Sequence, residues 1–347
     1  MSILNKFLTQ LRRKDAFSDR LLGGHYPLSP GIIPKLKNYF ILWSAESSMN
    51  SPVNKHPKNG SPGFLDYLKT WPLFLLPQHF LSALMHWFMR IKSPTFKNWQ
   101  ITAFIKLFKV NMHEALYEDV SSFADFNEFF TRQLKPQARP DITGENELCC
   151  PVDGAISEFG DIVDNQLLQA KGHSFDLLEL LAGDDALADQ FRNGRFATIY
   201  LSPRDYHRIH MPVNGTLRSM THVPGRLFGV NEASVKTIPH LFSRNERVIT
   251  VFDTPAGSMA LILVGAIFVS SIETRWHGVV TPPRHKSAQR WDYSDGESLE
   301  KAQEMGRFNM GSTVILLFPQ NSISWNKSIA ANSTVSMGQL LATLNTI

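Results

Sequence analysis

From about residue 148 onward, short apolar runs alternate with Gly, Pro and Asn, and this pattern limits the fold more than any other feature. FATIYLS (196–202), RVITVFDT (247–254), MALILVGAIFVSSIE (259–273) and STVILLFP (312–319) are rich in β-branched and aromatic residues and bounded by turn formers. Such runs read as strands of a β-rich, mainly antiparallel core. One helical interruption, FDLLELLAGDDALADQF, is expected at 175–191. The expected class is α+β, with helices ahead of the core over 63–147 and the core itself over 148–347.

The helical region has a different character. Pro72 and Pro77 break FLDYLKTWPLFLLPQHFLSALMHWFMRIK (64–92) into pieces. Phe80, Leu84, Trp87, Phe88 and Ile91 then share one helical face. Ile101, Phe104, Ile105 and Phe108 recur at i, i+3, i+4 and i+7 in a following helix, and FADFNEFFTRQL (123–134) reads as a short third one. In residues 1–43, Ile3, Phe7 and Leu11 recur at helical spacing beside Arg12, Arg13 and Lys14, while 44–62 has the Ser, Asn and Pro content of a flexible linker.

Charge divides along the same line. Residues 1–110 carry 15 Lys/Arg against 4 Asp/Glu, a net of +11, and residues 111–347 carry 20 against 27, a net of −7. A basic, aromatic front end suits an anionic membrane surface, although core packing explains amphipathic stripes equally well. Nucleic acid is disfavoured, because no helix-turn-helix or RNP signature is present. No run of about 18 apolar residues predicts a transmembrane helix, and the N-terminus lacks a secretory h-region. The two cysteines, Cys149 and Cys150, are adjacent. They close no useful loop and lack metal-ligand spacing, so they read as reduced thiols in a cytosolic compartment.

Three places carry candidate chemistry. PVDG (151–154) holds Asp153, which composition alone would place in a hairpin turn. YLSPRDYHRIHMP (200–212) holds His207 and His210. A third strong metal ligand is missing, so no metal site is expected. FNMGSTVILLFP (308–319) places Gly311 and Ser312 just before a strand. Together, Asp153, His210 and Ser312 supply an orienter, a base and a nucleophile. There is no G-x-S-x-G elbow, which argues against an α/β-hydrolase. Gly311 leaves its carbonyl sterically open to the neighbouring hydroxyl.

At this point the chain resembles the bacterial-type phosphatidylserine decarboxylases. The resemblance is carried by FNEFF (126–130), P-x-DG (151–154), LQAKGH (168–173), FRNG (191–194), YLSPRDYHRIHMP (200–212), VPG-x-LF (223–228), LFSRNERV (241–248), VGA (264–266), SIET (271–274), TPPR (281–284) and QEMGRFNMGSTVI (303–315). They run in order over roughly 70–340, and residues 1–62 extend ahead of the family's usual start. Met310 stands where the family usually has Leu, a volume-conserving change.

The resemblance implies a proenzyme. His210, oriented by Asp153, would activate Ser312 to attack the Gly311 carbonyl. The resulting ester would lose the Ser312 α-proton and expel the Gly311 carboxylate to leave dehydroalanine, whose hydrolysis releases ammonia and leaves a pyruvoyl group, the covalent cofactor, at position 312. The products would be a β chain (1–311) and an α chain (312–347) held as a heterodimer, compatible with a higher homo-oligomer. The pyruvoyl group would form a Schiff base with phosphatidylserine and release CO2, with His207 positioning the substrate or moving a proton. The implied location is the cytoplasmic side of the cell membrane, peripherally bound. Two other readings stay open on the residues alone: a serine hydrolase that is never cut, and a lipid-binding protein without catalysis.

Overall fold

The computed structural model describes residues 63, 66–67, 70–74, 76–140, 144–170, 173–267, 271–282, 287–309 and 312–345. The expectations for 1–43 and 44–62, and for Met310 and Gly311, lie outside the described residues. All described residues fall in one compact unit.

The core is a nine-stranded antiparallel sheet. Its strands are β1 (Gly154–Asp161), β2 (Arg195–Tyr200), β3 (Gly215–Val223), β4 (Arg247–Thr254), β5 (Gly257–Val264), β6 (Gln289–Asp292), β7 (Ser298–Leu299), β8 (Thr313–Phe318) and β9 (Thr334–Val335). They lie in the order β6-β3-β4-β5-β8-β2-β1-β9, with β7 on β3. The continuous apolar run TVILLF of β8 suits its central place, since all six residues are buried. A second antiparallel sheet combines Gly278–Val279, Ile272–Thr274, Glu304–Phe308 and Arg208–His210.

The expected strands appear with one division. The run 259–273 leaves the large sheet at Val264 and resumes in the second sheet at Ile272. The interruption at 175–191 is also split, into α4 (Leu177–Leu180) and α5 (Asp185–Asp189), after α1 (Gln78–Phe88), α2 (Pro94–Phe108) and α3 (Phe126–Phe130). Ala182 and Gly183 both take left-handed backbone (φ 62° and 81°), which ends the first helix. Asp184 then caps the second by accepting from the Leu187 N–H.

The two apolar stripes of the helical region have different fates. Ile101, Phe104 and Phe108 of α2 are buried. Phe104 meets Phe126 edge-on at 5.1 Å, and Phe129 and Phe130 at 5.9 Å each. Each such pair adds about 0.5–1.5 kcal/mol beyond area burial. This stripe is core. On α1 the buried positions are Gln78, Ser82, Met85 and Phe88, while Phe80 is exposed and Leu84 and Trp87 are half-buried. Lys97, one of the basic residues of this region, is buried and donates to the Val120 and Ser121 carbonyls.

Asp153-Gly154 is not a hairpin turn. Gly154 opens β1, and a Cβ there would lie 2.3 Å from the Tyr200 carbonyl oxygen. Only glycine lets β1 approach β2 this closely.

Candidate active site

Two crossovers between the sheets build the site. Residues 201–207 lead from β2 to the strand Arg208–His210, and residues 309–312 lead from Glu304–Phe308 to β8. β2 pairs with β8, and Arg208–His210 pairs with Glu304–Phe308. The ends of the two segments therefore lie beside one another, with the chain running in opposite directions. The Leu201 N–H donates to the Ser312 carbonyl (2.9 Å) at one end, and the Phe308 N–H to the His207 carbonyl (3.0 Å) at the other. Asn309 fixes the start of the second crossover through Ser271 and Asn127.

Ser312 and His207 are both fully buried. The His207 Nδ1–H donates to the Asp205 carbonyl (2.8 Å), which leaves Nε2 as the bare acceptor. That Nε2 and the Ser312 hydroxyl are both buried without a hydrogen-bond partner among the described residues. Buried polar atoms in a folded interior are usually hydrogen-bonded, so each such atom calls for an explanation. The His207 ring rests on Phe130, centroids 4.1 Å apart, so the α2–α3 phenylalanine cluster forms its floor.

His210 is held differently from the sequence expectation. Its Nδ1–H donates to the Ala302 carbonyl (2.6 Å), and its Nε2 accepts from the Tyr206 hydroxyl (2.9 Å). Asp153 makes no hydrogen bond to it. The Asp153 carboxylate is clasped by the Arg139 guanidinium and accepts from the Met337 N–H (2.8 Å). Asp153 acts on His210 only as a nearby charge. Tyr206, Ala302 and Arg139 escaped the sequence reading. Tyr206 alone left a signal, lying four residues before His210 in an already conspicuous string.

Both histidines are neutral in the fold. His207 is pushed down to about 3, first by burial and then by the Arg132 charge, against its bond to Asp205. His210 is lowered as well, chiefly by burial, with Arg208 adding and Ala302, Glu304 and Asp153 opposing. Between the ordinary value of 6.5 and about 3, an unfolded chain protonates His207 and the folded chain does not. Stability from this group is therefore complete above 6.5. It falls with pH by at most about 1.4 kcal/mol per pH unit. Asp205, raised by burial, works in the opposite sense. Thermal melts at two pH values on either side of 6.5 should show a smaller acid-induced drop for His207→Gln than for wild type. Identical drops would contradict the neutral buried histidine.

Other chemistry is weakly provided for. Cys149 and Cys150 are free and buried, with burial raising Cys149 to about 11 and Cys150 further, so neither is a thiolate at neutral pH. Among the described residues no group of three or more His, Cys, Asp and Glu could hold a metal ion. No described helix is long and apolar enough to cross a membrane.

Comparison with known proteins places this constellation. The family model described as phosphatidylserine decarboxylase matches residues 126–343, and one described as PSD matches 68–109. A phosphatidylserine decarboxylase proenzyme of Methylococcus capsulatus is 55% identical over 266 residues, covering 76% of this chain and 92% of that protein. One of Alkalilimnicola ehrlichii is 55% identical over 74% of this chain and 90% of its own length. One of Nitrosococcus oceani is 50% identical over 81% of this chain and 92% of its own. The chain belongs to the phosphatidylserine decarboxylase family.

Proposed function

We propose that this chain is a self-cleaving phosphatidylserine decarboxylase in which Ser312 first cuts the Gly311–Ser312 bond and then becomes the pyruvoyl cofactor. The observation that carries this reading is the fully buried Ser312 hydroxyl, without a hydrogen-bond partner among the described residues, at the end of a segment whose start bonds the His207 carbonyl. A hydroxyl not engaged by another described residue is available to act as a nucleophile.

His210 is the base for the cut. Its Nδ1–H bond to Ala302 fixes the tautomer with a basic Nε2, and release of the Tyr206 hydroxyl frees that atom for the serine proton. Asp153 supports the developing imidazolium by its charge. Cutting yields a β chain (1–311) and an α chain (312–347). The two remain a heterodimer because β8 lies between β5 and β2, and Leu340–Leu344 pairs with Glu147–Cys149.

The pyruvoyl group at 312 supplies an electron-withdrawing carbonyl that takes up the electron pair as CO2 leaves the serine headgroup. The chain's own part is to exclude water from the buried Ser312 position and to move a proton. His207, with its bare Nε2 and its Nδ1–H held by Asp205, takes and returns that proton at the reacting carbon.

The substrate is a bilayer lipid, and the helical region is suited to meet it. Of the eleven exposed large hydrophobics among the described residues, eight lie within 67–117, including Trp71, Phe80 and Tyr117. Exposed Lys92, Lys106 and Lys109 accompany them. This combination supports peripheral binding to anionic lipid. The reduced, buried cysteines are in keeping with the cytoplasmic side of the cell membrane. Trp71→Ser with Phe80→Ser should weaken co-sedimentation with phosphatidylserine vesicles about 10- to 100-fold without preventing self-cleavage. Unchanged co-sedimentation would contradict the docking face.

The reaction is tested with purified protein and carboxyl-labelled phosphatidylserine in mixed micelles. Labelled CO2 is expected, with phosphatidylethanolamine as co-product. Labelling of Ser312 by a fluorophosphonate with no CO2 would indicate a serine hydrolase, and binding with neither would indicate a lipid carrier.

A further inference from the structure

Arg132 has no part in the chemistry described so far, yet it is the most exceptional charged group near the site. It follows α3 and is buried to 5% exposure. Its Nη2 donates to the Arg204 carbonyl (3.1 Å), in the same crossover that carries His207. Its Nε and Nη1 are buried with no hydrogen-bond partner among the described residues. The guanidinium lies over the Phe129 ring at 5.6 Å, beside the Phe130 that floors His207.

Its acidic neighbours leave those donors open. Asp153, Asp205 and Glu114 attract it through space. Asp153 and Glu114 are instead bonded to Arg139, and Asp205 accepts from the Ser202 N–H. Burial lowers Arg132 to about 10, so it remains charged at neutral pH. Its charge is in turn the second cause, after burial, of the depressed His207 value. A buried cation with open donors beside a reacting site is a place for an anion.

Resting on the decarboxylase reading above, we infer that Arg132 binds the phosphodiester of the aminophospholipid headgroup. The substrate offers two anions, and the reaction distinguishes them. The carboxylate loses its charge as CO2 departs, so a cation paired with it would hold the ground state more firmly than the transition state. The phosphodiester keeps its charge from substrate to product. Binding it costs the chemical step nothing and sets the reacting carbon at a fixed distance from His207 and position 312.

The test uses full-length wild type, Arg132→Gln and Arg132→Lys, each first examined by denaturing mass spectrometry for self-cleavage. KM and kcat are measured for phosphatidylserine in mixed micelles. The inhibition constant is measured for short-chain phosphatidylethanolamine, which has the phosphodiester but no carboxylate. For Arg132→Gln, KM and the inhibition constant should rise together, by about 10- to 100-fold, the range of a charge-assisted hydrogen bond. Arg132→Lys, which keeps the charge, should raise both by a smaller factor and carries the comparison if Arg132→Gln fails to fold or to be cut. A rise in KM alone would mean that Arg132 reads the carboxylate, and would overturn the proposal. So would a fall in kcat with both constants unchanged, or constants equal to wild type in Arg132→Lys where Arg132→Gln gives no active enzyme. If wild type itself releases no CO2, the decarboxylase reading fails and the proposal falls with it.

Discussion

Ser312→Ala is expected to remain one uncut chain and to release no CO2 above background. The substitution removes a single oxygen that is fully buried and has no hydrogen-bond partner among the described residues. Its removal breaks no hydrogen bond to a described residue, so stability should be unchanged or slightly raised. The fold therefore persists while two functions disappear together. On the proposed mechanism the nucleophile for the cut is gone, and so are the atoms from which the pyruvoyl group is made. Denaturing electrophoresis with a thermal melt checks both halves. A normally cut Ser312→Ala chain would remove Ser312 from the mechanism.

His207→Ala is expected to separate the two stages. The chain should still fold and cut itself, because the proposed base, His210, is untouched, but CO2 release should fall by about 10²- to 10⁴-fold, the usual worth of a positioned proton-transfer group. The loss should be in kcat, since the role proposed for His207 is proton transfer. Loss of its packing on Phe130 costs some stability, so the assay belongs well below the melting temperature. His210→Ala should instead block the cut. An uncut His207→Ala chain that is nonetheless folded, or full activity after cutting, would contradict this division of labour.

Much of the fold is legible in the sequence because strands and turns announce themselves locally. TVILLF reads as a fully buried strand, and it is the central one. The break at Ala182–Gly183 was also visible in principle, as a left-handed stop followed by an Asp cap. The stripes of α1 and α2 were not separable by spacing. Both are amphipathic, and only tertiary packing decides that Phe104 meets four other phenylalanines while Phe80 meets none of that cluster.

The site was legible as a set of residues and illegible as a set of bonds. Asp153, His207, His210 and Ser312 sit in distinctive strings, and side-chain chemistry names their capabilities. Which carboxylate meets which base depends on contacts between residues far apart in sequence. Arg139 claims Asp153, and Ala302, 92 residues away, claims His210 Nδ1. Gly154 shows the same limit. Its neighbour Asp153 made it look like a turn, and only the approach of β2 reveals why no side chain fits.

The central claim is that Ser312 cuts its own chain and becomes the cofactor, and a denaturing mass spectrum of the freshly purified full-length protein tests it most directly. Two species are expected: a fragment of residues 1–311, and a fragment of residues 312–347 whose N-terminal residue has the mass of a pyruvoyl group instead of serine. Borohydride should shift the smaller fragment by two hydrogens. A single intact chain in active enzyme, or a small fragment beginning with an unmodified serine, would contradict the account.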